Sequence, residues 1–187
     1  MKKYLYLTQK NWVSPWINGG VVPLYAANKY LSEERSGVFT PDENLIDTST
    51  HDIKKYSDFF SQDGTCSFTV KNSFLGGVFH DHMHFEQKTE NGLVLCLSNK
   101  KRARIALKLG KEACVKILDV ELLKQHLDEQ IGMTGIMKSC EYTNTHKRNH
   151  FLKSSLDAWQ NEFRVFWPGV ESLTVTIPPG IAKEVKL

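Results

Sequence analysis

A chain of 187 residues is long enough for one sizeable hydrophobic core and short for two. Its hydrophobic content of 41% and charged content of 24% are those of an ordinary soluble globular protein. A net charge of +3 is too small to establish a polyanionic partner, and no apolar run approaches the roughly 20 residues of a membrane helix.

The opening MKKYLYLTQKNW has neither the apolar stretch nor the small-residue cleavage site of a secretory signal, so a cytoplasmic protein is expected. Residues 3–8 (KYLYLT) alternate and predict a first strand. Residues 11–20 (NWVSPWINGG) predict a short helix stopped by Gly19 and Gly20. VVPLYAANKYL predicts a short strand and then a helical segment over 26–34. Residues 35–56 are polar, punctuated by Gly37, Pro41 and Asp42, and read mostly as loop. So long an irregular segment in a small domain is more often a functional loop than filler.

The centre is richer in strands. CSFTV (66–70) alternates, and FLGGVFHDHMHFE (74–86) holds a second alternating run after two glycines. GLVLCLS (92–98) reads as a continuously apolar, fully buried strand. Residues 99–110 predict a helix with Ile105, Leu107 and Leu109 as its apolar contribution. ACVKILDV (113–120) predicts a strand, and residues 121–132 a helix stopped by glycine. MKSCEYT (137–143) and LTVTIP (173–178) are further strands, the last ended by Pro178, Pro179 and Gly180. Many short strands with a few interspersed helices indicate a single α+β domain over 1–187, without repeat or linker.

The stretch 150–167, HFLKSSLDAWQNEFRVFW, predicts a short helix feeding directly into a strand. Leu152, Leu156 and Trp159 share a helical face, and Phe163, Val165 and Trp167 share a strand face. Glu162 and Arg164 then point to the other side of that strand. A carboxylate on an otherwise apolar β element is expensive unless it is exposed, paired or used. Glu162 is either a strand carboxylate paired with Arg164 or Lys153, or a catalytic group.

Two other groups suggest chemistry and have plainer readings. Cys66, Cys96, Cys114 and Cys140 lie far apart with no CxxC pair, which favours structural thiols over a metal or redox site. His80, His82 and His84 project to one strand face, an arrangement that could bind a transition metal, yet same-face neighbours sit about 6.6 Å apart and seldom converge on one ion without bending. A polar or substrate-facing strand is the plainer reading, and no metal is assigned.

The opening YLYLTQKNWVSPWINGG is similar to the first strand, helix and glycine of DarT-like ADP-ribosyltransferases, and FLKSSLDAWQNEFR resembles the lysine–tryptophan–glutamate–arginine signature of related bacterial domains. The two segments cover about a sixth of the chain. The resemblance implies an ADP-ribosyltransferase-like split β-sheet with peripheral helices, gripping NAD and passing ADP-ribose to an acceptor. It also implies a toxin of a toxin–antitoxin or phage-defence system, acting on DNA, RNA or protein, with an antitoxin as a possible partner. Tyr6 stands where the family pattern usually has histidine, whereas Thr8 keeps its threonine.

On that resemblance Glu162 is the catalytic carboxylate. Cleavage of the nicotinamide–ribose bond passes through an oxocarbenium-like state, which a fixed carboxylate stabilises more than the ground state. The pyrophosphate of NAD needs cations or N–H donors, for which Arg35 at the head of the polar loop is the candidate. Thr8 and Tyr6 would contact the cofactor, and Tyr30, with Tyr25 nearby, would stack on nicotinamide, although tyrosines on a helix are more often core residues. For a nucleic-acid acceptor, KKRARIALKLGK supplies Lys101 and Arg104, and the 146–148 loop supplies Lys147 and Arg148. Two further classes stay open: a non-enzymatic nucleic-acid-binding module on the basic helix, and a metal-dependent hydrolase centred on the three histidines.

Overall fold

A computed structural model describes residues 1–30, 45–47, 66–75, 78–89, 91–144 and 148–187. Within 45–89 it describes the backbone, and the side chains of Asn72 and Phe79 alone. The chain is a mixed α+β protein whose sheets are mostly antiparallel. In order, the first elements are β1 (Lys3–Leu7), a 3-10 turn (Lys10–Trp12), α1 (Val13–Asn18), β2 (Gly20–Ala26) and a 3-10 turn (Ala27–Tyr30). Strands β3 (Leu45–Asp47), β4 (Cys66–Leu75), β5 (Val78–Thr89) and β6 (Gly92–Ser98) follow. Next come α2 (Ala103–Lys108), β7 (Ala113–Ile117), α3 (Val120–Ile131), β8 (Ile136–Ser139), β9 (Glu141–Thr143) and β10 (Leu152–Ser154). The last are a 3-10 helix (Ser155–Gln160), β11 (Glu162–Pro168), β12 (Leu173–Ile177) and β13 (Ala182–Glu184).

The main sheet runs β12-β2-β6-β1-β7-β13, with β11 on the second edge of β6 and β8 beyond β11. One edge of β6 pairs with β11 along its whole length, from Gly92↔Pro168 to Ser98↔Glu162. The other edge is shared. β2 meets it at Leu93 and Val94, while β1 meets it at Ser98. Two strands thus leave one edge of β6 at its opposite ends, and the sheet is split between them. A separate antiparallel sheet has the order β3-β5-β4, and β9 and β10 pair in parallel.

Strand alternation sorts the two faces. Leu93, Leu95 and Leu97 of β6 join Phe163, Val165 and Trp167 of β11 in the core, together with Leu5 and Leu7 of β1 and Val115 and Ile117 of β7. Val13 and Trp16 of α1 and Val120, Leu123 and Leu127 of α3 cover that face, the helical residues repeating at three- and four-residue spacing. Asp119 caps α3, its carboxylate accepting from the Glu121 N–H, and Gly132 ends it in the left-handed conformation at φ +75°. Among the described residues no helix is long and apolar enough to cross a membrane.

The structure corrects four expectations. The helix expected at the start of 150–167 is instead β10 followed by a 3-10 helix. The backbone of β10 pairs with β9, Ser154 caps the turn by accepting from Leu156 N–H, and Asn161 at φ +49° ends it. Leu156 is 72% exposed, so the leucine–leucine–tryptophan spacing marks no buried face. The basic helix shrinks to six residues, with Ile105 buried and Leu107 81% exposed, since residues two apart on a helix do not share a face. Strand 92–98 is not buried throughout, because Cys96 is exposed on the face opposite the core. The single strand expected over 137–143 is two, interrupted at Cys140.

Candidate active site

The split opens onto a cleft of about 790 Å³, within the size range of small-molecule and cofactor sites. Its lining comes from β1, α1, β2, β6 and β11, with Lys111 following α2 and His150, Lys153 and Gln160 preceding β11. Most of the wall is apolar or aromatic, and Trp12, Tyr25 and Tyr30 are all partly exposed there.

Glu162 sits in this lining at the first residue of β11, where several hydrogen bonds clamp the strand to the end of β6. Asn99 N–H donates to Asn161 O at 2.8 Å, and Asn99 Nδ2 donates to Asn161 O and Glu162 O at 3.1 and 3.2 Å. The Glu162 N–H donates to the Tyr142 hydroxyl at 2.9 Å, and its carbonyl accepts from Cys140 N–H at 2.9 Å. Burial pushes that tyrosine hydroxyl up to about 12. The carboxylate is therefore carried on a backbone fixed on both sides.

The expected sharing of a face by Glu162 and Arg164 is what the strand delivers. Arg164 Nε donates to Glu162 Oε1 at 3.0 Å and Nη2 donates to Oε2 at 3.2 Å, a forked pair. Lys153 Nζ donates to Oε2 at 2.7 Å and to Gln160 Oε1 at 2.6 Å. Arg164 Nη1 donates to the His150 carbonyl at 2.9 Å, and the His150 ring stacks on Phe166 at 3.7 Å. The three charged side chains are 8%, 5% and 2% exposed for Glu162, Arg164 and Lys153. Burial alone would raise the Glu162 carboxyl, but the charges and hydrogen bonds of Arg164 and Lys153 outweigh it and hold the group down at about 2. Glu162 is ionised throughout the neutral range.

Tyr6, Thr8 and Tyr30 line the same cleft as Glu162. The Tyr6 hydroxyl is committed elsewhere: it accepts from Arg102 N–H at 2.8 Å and faces Lys100 O and Arg102 O at 3.1 and 3.3 Å. What Tyr6 offers a ligand is its ring. Thr8 Oγ1 accepts from Lys111 Nζ at 2.7 Å. Burial raises the Tyr30 hydroxyl well above its ordinary value, so it stays a proton donor. Lys101 and Arg104 are exposed, Arg148 is half-buried, and none of these three belongs to the lining. Arg35 and Lys147 lie outside the described residues, as do the side chains of His80, His82 and His84. Among the described residues no group of three or more His, Cys, Asp or Glu is arranged to hold a metal ion.

Sequence reasoning missed Lys111, Gln160, His150 and Cys96 as cleft residues. No local sequence pattern brings these four into one cleft; Lys111 and Gln160 adjoin the positive-φ residues Gly110 and Asn161, which mark turns but not what the turns face. Comparison with protein-family models, curated proteins and solved structures gives no match for this chain.

Proposed function

We propose that the protein is an NAD-dependent ADP-ribosyltransferase whose acceptor is a macromolecule, nucleic acid before protein. The observation that carries the reading is an ionised carboxylate, Glu162, buried in a cleft at the split of the sheet, with Thr8 of the first-strand segment in the same lining. The cleft size suits a dinucleotide, the aromatic wall suits a base or nicotinamide ring, and Lys101 and Arg104 present exposed cations to a phosphate backbone.

In this reading the bond between ribose C1′ and nicotinamide N1 breaks, nicotinamide leaves with the electron pair, and the acceptor nucleophile bonds to C1′. The acceptor's proton passes to solvent. A carboxyl group held at about 2 is too weak a base to remove it efficiently at neutral pH. Glu162 instead accepts a hydrogen bond from a ribose hydroxyl and stabilises the cationic ring. Its three hydrogen bonds to Arg164 and Lys153 occupy three of about four lone-pair sites, leaving one on Oε1 among the described residues.

A second reading is a site that binds an anionic ligand without cleaving it, favoured by the buried cations Lys153 and Arg164 in the cleft lining. Incubation with labelled NAD and separate pools of RNA, DNA and protein decides between them. Label in one pool, lost with Glu162→Gln, supports transfer and identifies the acceptor. Intact NAD in the presence of every pool removes the transferase reading. If the protein is toxic when expressed, the same substitution relieves the toxicity.

A further inference from the structure

Among the described residues the cleft lining contains four charged side chains, Lys111, Lys153, Glu162 and Arg164. Glu162 lies against Lys153 and Arg164, so Lys111 is left as the lining cation that no carboxylate meets among the described residues. Its ammonium is half-buried and donates to a neutral hydroxyl, Thr8 Oγ1, at 2.7 Å. Burial lowers its pKa, which marks a charge poorly compensated by its surroundings. A cation withdrawn from water without an acidic partner is costly, and an anion brought to it recovers that cost.

The position is also held from the backbone. Lys111 N–H donates to Ala106 O at 2.9 Å and Glu112 N–H donates to Leu7 O at 3.0 Å, tying the residue between α2 and the end of β1. Thr8 follows β1 directly. An ammonium carries three donors, of which one is used here, and the threonine hydroxyl that accepts from it keeps its own proton to give. Two further ammonium N–H groups and one O–H group, on side chains 2.7 Å apart in the cleft lining, match in kind the donors that phosphate oxygens accept from.

We infer that Lys111 and Thr8 form a phosphate-binding pair, and that the cleft selects a ligand carrying a nucleoside diphosphate. The inference deepens the transferase reading by naming a phosphate contact, and it rests on that reading for the identity of NAD. It does not rest on group transfer, because a binding-only cleft would use the pair in the same way. The aromatic side chains Trp12, Tyr25 and Tyr30 then serve the ring systems of the same ligand.

Calorimetric titration of the purified protein with ADP-ribose, ADP and adenosine tests it. Both phosphorylated probes are expected to bind more tightly than adenosine, by about 10- to 100-fold, the value of charge-assisted hydrogen bonds to one cation. Lys111→Met should bring their affinity down to that of adenosine while leaving adenosine binding unchanged. Lys111→Arg should retain most of the preference, which guards against a folding defect in the methionine variant. Equal binding of ADP and adenosine by the wild type, no binding of any probe, or wild-type ADP affinity in Lys111→Met would overturn the assignment. Lys111-dependent ADP-ribose binding with NAD left intact sinks the transferase reading alone. NAD turnover with an unchanged KM in Lys111→Met sinks the phosphate assignment alone.

Discussion

Replacing Glu162 by glutamine removes one negative charge from a cluster whose two cations are almost wholly buried. Lys153 and Arg164 are then left facing each other across a neutral amide, at 2% and 5% exposure. The displacement of the Glu162 carboxyl from 4.5 to about 2 corresponds to about 3 kcal/mol of stabilisation at neutral pH. Breaking a buried pair by deleting one partner costs roughly 3–5 kcal/mol, which agrees. For a chain of this size that is a fall in Tm of about 6–20 °C. The sign of the pH dependence follows from the direction of the shift. A carboxyl depressed in the folded state contributes its full stabilisation above its ordinary 4.5 and loses it as pH falls towards about 2. Thermal melts of wild type and Glu162→Gln should therefore differ most at neutral pH and converge in acid. A Tm within a degree or two of wild type, with identical acid profiles, would refute the ionised buried cluster. Adding Lys153→Met to Glu162→Gln returns the cluster to its original net charge, so stability should partly recover. NAD turnover, assayed well below either midpoint, should stay absent, which separates loss of chemistry from loss of fold.

Gly92→Ala should destabilise the fold by about 1–3 kcal/mol or prevent expression, because its Cβ would stand 2.5 Å from Phe166 Cε2 and from the Trp167 carbonyl oxygen; a wild-type melting curve would contradict that packing. Asp128 accepts from the Trp167 indole at 2.7 Å and from Gly135 N–H at 2.9 Å, so Asp128→Ala should cost about 1–3 kcal/mol in a denaturant titration. Asp128→Asn, which keeps an acceptor, should cost less than the alanine. Lys101→Ala with Arg104→Ala should leave Tm unchanged and flatten the log-affinity against log-salt slope for duplex DNA by up to about 1.8. An unchanged slope removes both residues from the acceptor surface.

Where strand period alone decided the outcome, the sequence was legible. β1, β6 and β12 fall within one residue of their expected spans, β7 starts where expected and ends three residues early, and the opposition of Phe163, Val165 and Trp167 to Glu162 and Arg164 follows from alternation. α3 was legible from its terminal glycine, and the Asp119 cap and the spacing of Val120, Leu123 and Leu127 agree with it in the structure. The site was half legible. A period-two reading brings Arg164 beside Glu162, but no local pattern brings Lys111, more than fifty residues earlier, into the same cleft. That meeting depends on β1 pairing with β7 and touching the end of β6. The 150–161 segment misled because apolar spacing was taken without a partner surface. Leu156 faces solvent, while Lys153 and Ser154, polar by composition, are buried by pairing with β9 and by the charge cluster.

β11 also carries the physical argument for proposing that the charge cluster serves function as well as folding. One face of this seven-residue strand is packed with Phe163, Val165 and Trp167, so the chain has ready means of filling a buried sheet face with apolar groups. On the opposite face stand Glu162 and Arg164, with Lys153 brought in from β10. Withdrawing each ion from water costs several kcal/mol, and an apolar replacement of equal volume is commonly as stable or more so. Stability alone therefore does not select an ionic face over an apolar one. It lies where the sheet divides and a cleft reaches the interior, and on the proposed reading fixed charges there do what apolar side chains cannot: they would orient polar groups of a ligand at no cost of reorganisation.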